Sequence, residues 1–258
     1  MLRAIGAASA TIGSTALVPG TAFAAAPDFD APWPGDTWLD AADRPVLDAT
    51  LARLGRVQKT VGHGNFHTLD FDGMLGIGRG YASVGAFPAA ETAFLERLFE
   101  ADASRYGFLG RKVAGRLTEP VPARLVRPPG TAQRLVRDRA LQRFEAMRAV
   151  AGDDLVLTSG VRGVVKQAHL FLTKVARSDG NLSRASRSLA PPGYSYHGIG
   201  DFDVGQRGLG AANFTARFAE TALYRRLVDA GYLVERYPRG NRLGVRHEPW
   251  HVMVVTRT

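Results

Sequence analysis

Cysteine is absent from this 258-residue chain. Disulfides, thiolate metal sites and a cysteine-borne lipid anchor are therefore excluded within it. Lysine is scarce: Lys59, Lys112, Lys166 and Lys174 are the only lysines among 33 basic residues, and the rest are arginine. The net charge of +9 suits an anionic partner. The arginines are scattered, however, and no basic run is interleaved with aromatics, so a nucleic-acid groove is not expected. A strongly apolar run is missing too. The charge-free stretch from Ala4 to Ala26 is rich in Ala, Gly, Ser and Thr and is broken by Pro19, which makes it a poor membrane span. No internal repeat is evident. What remains is an ordinary folded composition, 45% hydrophobic and 22% charged. The length allows one good core, or a catalytic domain with a smaller helical lobe.

Residues 1–26 have the pattern of an export signal. Arg3 supplies a short positive start, a weakly apolar stretch follows, and Ala22-Phe23-Ala24 forms an A-x-A cleavage pattern, with Ala24-Ala25-Ala26 as a second option before Pro27. The expectation is an exported protein, periplasmic or extracellular.

The mature chain divides into a mostly helical lobe, 27–130, and a core, 131–258. In the lobe, Pro45 to Val57 reads as a short amphipathic helix, Gly62 to Gly80 as a Gly-rich loop, and Ala89 to Tyr106 as a stronger helix stopped by Gly107. His63, His67, Asp70 and Asp72 in the Gly-rich stretch match no metal-ligand spacing with a mechanism. Pro120 to Gly130 carries four prolines and marks the boundary. Beyond it, Ala132 to Val150 reads as helix, Asp154 to Thr158 as a buried strand, and Val164 to Arg177 as helix with His169 on a packed face. Ser178 to Tyr194 reads as loop, Phe202 to Gly205 as a short strand, and Asn213 or Thr215 as the cap of a helix running to Ala230. Tyr232 to Tyr237 and Trp250 to Thr256 alternate like strands. A small antiparallel sheet with flanking helices, an α+β fold, is the consistent architecture.

Chemistry concentrates in two segments, SYHGIGDFDVG (Ser195 to Gly205) and EPWH (Glu248 to His251). His197, Asp203 and His251 are an open-site zinc set, because two imidazoles and one carboxylate leave the fourth tetrahedral position for water. Glu248 supplies the nearby carboxylate such a water needs as proton acceptor. Glu248 and His251 are three apart, so they face one site only if EPWH begins as a turn, which Pro249 favours. His247 is expected to point away.

These segments resemble the paired signatures of the LAS zinc peptidases, S-x-H-x-x-G-x-A-x-D and E-x-W-H. That group includes VanY-type D-alanyl-D-alanine carboxypeptidases and VanX-type dipeptidases. Ser195, His197 and Gly200 fall on the first motif, and Glu248, Trp250 and His251 on the second. The family Asp lies seven residues after the His, where this chain has Val204. Shortening by one residue brings Asp203 into the ligand place. Asp201 remains an alternative, because strand alternation puts both on one face. Upstream, Ser159, Gly160, Arg162 and Gln167 occupy an S-G-x-R-x-x-x-x-Q stretch of VanY-type enzymes.

The resemblance, which spans roughly Asp153 to Val255, implies the LAS/hedgehog-like fold and Zn²⁺ held by His197, Asp203 and His251. It implies Glu248 as general base and Arg162 as a clamp on a substrate carboxylate or developing oxyanion. Ser195 and Gln167 would bind or support substrate. The implied substrates are peptidoglycan peptides ending in D-Ala-D-Ala. A dipeptidase, an endopeptidase or a non-catalytic zinc-dependent cell-wall-binding module on the same fold are the other readings.

Overall fold

The computed structural model describes residues 28–254, so the expected export segment lies outside it. Helix α1 (Arg44–Val61) buries Leu47, Thr50, Leu54 and Val57, the i, i+3, i+4 pattern of one helical face. It has proline in its first turn and ends at Gly62, which the left-handed φ of 80° suits. The expected loop over 62–80 is instead two helices, α2 (His63–Phe66) and α3 (Phe71–Gly80). Asp70 caps α3, accepting the Gly73 amide at 2.7 Å. Its glycines serve packing rather than turning. A Cβ at Gly78 would come within 2.9 Å of the Phe87 ring, and burial of Phe71 and Met74 outweighs the helix cost of glycine. Helix α4 (Ala89–Glu100) stops short of the expected Tyr106 because Ala101 turns extended; a separate 3-10 turn, Ala103–Tyr106, follows.

The core adds β1 (Leu125–Val126), β2 (Leu135–Val136), α5 (Arg139–Ala151), β3 (Leu155–Ser159), α6 (Val164–Arg177), α7 (Leu182–Ser186), β4 (Phe202–Gln206), α8 (Ala222–Asp229), β5 (Glu235–Tyr237) and β6 (Glu248–Val252). The segment 178–194, expected to be all loop, contains α7, capped by Asn181 accepting the Arg184 amide at 2.7 Å. The cap of α8 is Thr221, not Asn213 or Thr215, because two 3-10 turns occupy 210–220.

Strands β3, β4, β6 and β5 form one antiparallel sheet in that order, and β1 pairs with β2 separately. One face of the larger sheet is apolar. Phe202, Val204 and Val252 pack there against Phe144 and Met147 of α5 and Leu223 and Leu227 of α8. The helices of the first hundred residues share a second core with α6 and α7, built on Leu54, Phe66, Phe94, Phe171 and Leu172. Helix α6 is thus common to the lobe and the core, and its polar edge borders the site. No helix among the described residues is long and apolar enough to cross a membrane.

Candidate metal centre and its cleft

Strand pairing brings the two motif segments together. Asp203 and His251 are direct partners across β4 and β6, one step from the apolar pair Phe202 and Val252. Alternation sends the apolar pair into the core, so Asp203 and His251 face the opposite side. His197 arrives from a 3-10 turn, Tyr196–Ile199, that ends at Gly200 with φ of 120°, a conformation glycine adopts without strain.

The expected turn at EPWH is a strand. The reason Glu248 and His251 still face one site is irregular pairing: Glu235 pairs with Val252 but Tyr237 with Glu248, which leaves two extra residues on β6. Glu248 Oε2 lies 3.4 Å from His251 Nδ1.

His197, Asp203 and His251 are all buried, and one potential ligand atom from each lies within 4.8 Å of the others. His197 Nε2 and His251 Nδ1 are 3.2 and 3.7 Å from Asp203 Oδ1. Tetrahedral zinc with bonds of about 2.0–2.1 Å separates its ligand atoms by about 3.3 Å. Asp203 Oδ1 is buried and has no hydrogen-bond partner, a state that is costly for a carboxylate oxygen unless something else meets it. Donor set, spacing and this orphaned oxygen together fit a zinc ion.

The protonation states agree. Burial, helped by the Arg162 charge, holds the His197 imidazole below its usual range, so it is neutral. Its Nδ1 lies 2.9 Å from the Gly160 carbonyl oxygen, which fixes the proton on Nδ1 and turns the lone pair of Nε2 inward. Burial opposes the Asp203 charge, but His197, His251 and Arg162 overcome it and keep the carboxyl ionised. Gly160 can serve because it has no side chain: a Cβ there would collide with the Arg134 carbonyl oxygen.

Of the two candidate carboxylates, Asp203 meets the ligand nitrogens. Asp201 lies outside the group, fully buried, with Oδ2 3.4 Å from His251 Nε2.

Arg162 stands at the edge of the centre. Its Nη2 donates to Ser159 Oγ at 3.0 Å and approaches His197 Nε2 at 3.1 Å and Asp203 Oδ2 at 3.4 Å. Its Nη1 donates to Gln167 Oε1 at 3.0 Å, and Gln167 in turn donates to the Ala190 carbonyl. Gln167 therefore holds the guanidinium rather than facing the metal group. Ser195 is buried and lines the same cleft.

Residues 133–257 match the model of the VanY family, D-alanyl-D-alanine carboxypeptidase. This region of the chain resembles the VanY family.

The chain is also similar to solved structures. One is the LdcB LD-carboxypeptidase, described as revealing the molecular basis of peptidoglycan recognition: 26% identity over 52% of this chain and 69% of that one, TM-score 0.45. VanYB in complex with D-alanine-D-alanine is 23% identical over 57% and 85%, TM-score 0.43. A mutant of the vancomycin-resistance D,D-pentapeptidase VanY in complex with Zn(II) is 24% identical over 58% and 86%, TM-score 0.41. No curated protein matches the chain.

Around the metal-ligand group lies a cleft of about 600 Å³. Its lining includes the cations Arg162, Lys166, Arg177 and Arg246 against the anions Asp203 and Glu248. Burial and nearby Arg162 bring the Lys166 ammonium down to about 8. The lobe contributes His67 to this wall, where burial and Lys166 hold the imidazole down to about 4 and so neutral. His169 packs edge-on against Phe66 at 5.5 Å, and His247 turns to Glu235 at 3.0 Å; neither joins the centre. Among the described residues, His197, Asp203 and His251 are the one group of three or more His, Cys, Asp or Glu spaced to hold a metal.

The contributor sequence reasoning missed is Arg236. It pairs with Asp201 through Nε at 2.7 Å and Nη2 at 3.2 Å. Nothing in its surroundings in sequence distinguishes it from the other arginines.

Proposed function

We propose that this protein is an exported zinc peptidase that removes the terminal D-alanine from peptidoglycan stem peptides. The observation that carries the reading is the convergence of His197, Asp203 and His251 with Glu248 and Arg162 on one cleft. A ligand group alone would suit a structural or binding site. A buried carboxylate and a fixed guanidinium beside it suit hydrolysis.

Zinc, when bound by His197, Asp203 and His251, supplies Lewis acidity, polarising a carbonyl and acidifying a water. The remaining work falls to the chain. Burial, and to a lesser degree the Asp203 charge, raises the Glu248 carboxyl above its usual range, while His251 pulls it back. A carboxylate so raised is a better proton acceptor near neutral pH. Glu248 takes a proton from the attacking water and passes it to the leaving amine as the peptide C–N bond breaks. One water is consumed, and the products are a shortened peptide and free D-alanine. Arg162, held by Ser159 and Gln167, offers N–H donors to oxygen where negative charge develops. The excess of cations lining the cleft suits a substrate that ends in a carboxylate.

The test is mass spectrometry of a muropeptide ending in D-Ala-D-Ala, incubated with zinc-loaded protein and with a chelated control. Loss of one alanine, abolished by chelation, is expected. Release of the dipeptide would reassign the bond. No cleavage despite stoichiometric zinc would overturn the peptidase reading.

A further inference from the structure

We propose that Asp201 and Arg236 form a buried strut that fixes the tautomer of His251, so that metal affinity in this chain depends on a carboxylate that is not itself a ligand. The inference rests on the zinc reading above and extends it to a residue pair that the motifs do not include.

Asp201 is fully buried. Its Oδ1 accepts from the Val254 amide at 2.8 Å and from Arg236 Nη2 at 3.2 Å; its Oδ2 accepts from Arg236 Nε at 2.7 Å. This is a two-toothed grip with a backbone donor added, which fixes a carboxylate in both position and charge. Arg236 is itself held, its guanidinium lying 4.1 Å from the ring centroid of Tyr196, the residue before His197. The strut thus spans from the turn that carries one ligand to the strand that carries another.

The strut also abuts His251. Asp201 Oδ2 is 3.4 Å from Nε2, a buried nitrogen with no aligned hydrogen-bond partner. To bind a metal this imidazole must be neutral, and it then has one proton to place. Placed on Nε2, it faces Asp201 and leaves a lone pair on Nδ1, 3.7 Å from Asp203 Oδ1. Placed on Nδ1, it faces Glu248 Oε2 at 3.4 Å, and the metal-facing nitrogen is blocked. Carboxylates therefore compete for the proton from opposite edges of one ring, and Asp201 is the competitor whose victory permits coordination. His197 needs no such device, because a backbone carbonyl 2.9 Å from Nδ1 settles its tautomer. Partners of this sort, behind metal-bound histidines, change affinity about 10- to 100-fold.

Zinc affinity of the full chain, measured by competition with a chelating dye, tests the strut with Asp201→Asn. Asparagine keeps the shape and removes the charge. The expected result is one zinc per wild-type chain and a Kd about 10- to 100-fold weaker in the variant, with circular dichroism unchanged. A folded variant that binds zinc as tightly as wild type overturns the proposal. Wild type that binds no zinc overturns the zinc reading and the strut with it. If removing the charge prevents the chain from folding, nitrogen-15 spectra of histidine-labelled wild type decide. His251 is then expected to show a protonated Nε2 and a metal-shifted Nδ1, and the reverse assignment refutes the strut.

Discussion

Asp201 and Asp203, two residues apart, address opposite nitrogens of the same imidazole. Asp201 Oδ2 is 3.4 Å from His251 Nε2, and Asp203 Oδ1 is 3.7 Å from Nδ1. The chain reaches this by placing Asp201 just ahead of β4 and Asp203 within it, opposite His251. Strand alternation alone would have made the two carboxylates equivalent.

Their roles separate by metal content. Asp203→Ala removes the oxygen that sits between both ligand nitrogens, so zinc is expected to be lost under conditions where wild type retains one equivalent, as read by elemental analysis of the dialysed protein. Asp201→Ala should retain zinc at millimolar excess. Metal lost only from the Asp201 variant would refute the assignment of Asp203 as ligand.

Glu248→Ala leaves all three ligands in place. Zinc stoichiometry should be unchanged, while turnover of a D-Ala-D-Ala peptide falls roughly 10²–10⁴-fold, the usual contribution of a positioned base. Activity within a few-fold of wild type would remove Glu248 from the role of proton acceptor.

Much of this centre is legible in the sequence because each ligand sits in a short, spaced pattern. Glu248 and His251 are readable as a pair even though their local conformation is not. The pattern suggests a turn, whereas the chain uses a strand with two extra residues in its pairing. Such an irregularity depends on the partner strand β5, which the local sequence does not contain. Arg236 is illegible for a similar reason, since its partner lies 35 positions away. The helix α3 is obscured by composition: its glycines read as loop residues, yet Gly78 is small because Phe87 lies against it. Periodicity succeeds where burial is one-sided, as in α6, whose bounds match the expectation (Val164–Arg177).

Zinc binding should release a proton. In the metal-free centre burial opposes charge on His251, but the carboxylates of Asp201, Glu248 and Asp203 prevail and raise it to about 9. His197 is held low and is already neutral. At pH 7 the ion therefore displaces about one proton, from His251, and affinity should rise about tenfold per pH unit until roughly pH 9. Calorimetry in buffers of different ionisation enthalpy measures this directly. Zero protons released at pH 7 would mean His251 is neutral in the metal-free chain.

Gly160→Ala tests the tie between backbone and ligand. The added methyl meets the Arg134 carbonyl oxygen, which also accepts the Val161 amide at 2.7 Å. Relief requires the β3 end to move, at a cost of about 1–3 kcal/mol typical of overpacking. The same movement displaces the carbonyl that faces His197 Nδ1. Both the midpoint of urea unfolding and zinc affinity should fall together. A loss of stability with unchanged zinc affinity would show that the carbonyl does not orient His197.

Arg162 can act on the reacting carbonyl or on a terminal carboxylate, and its position favours the first. Its Nη2 lies 3.1 Å from His197 Nε2 and 3.4 Å from Asp203 Oδ2, against the ligand group itself. A donor so placed gains strength as negative charge develops on the carbonyl oxygen, whereas a terminal carboxylate carries its charge from the start. Arg162→Lys keeps a cation but loses the fork that Ser159 and Gln167 hold. Loss of a charge-assisted hydrogen bond of about 1.5–3 kcal/mol corresponds to roughly 10- to 100-fold in rate. That loss is expected in kcat, with KM changed by less than about threefold. The peptide amide and the free acid should suffer equally. A rise in KM confined to the free acid would assign Arg162 to the terminal carboxylate instead.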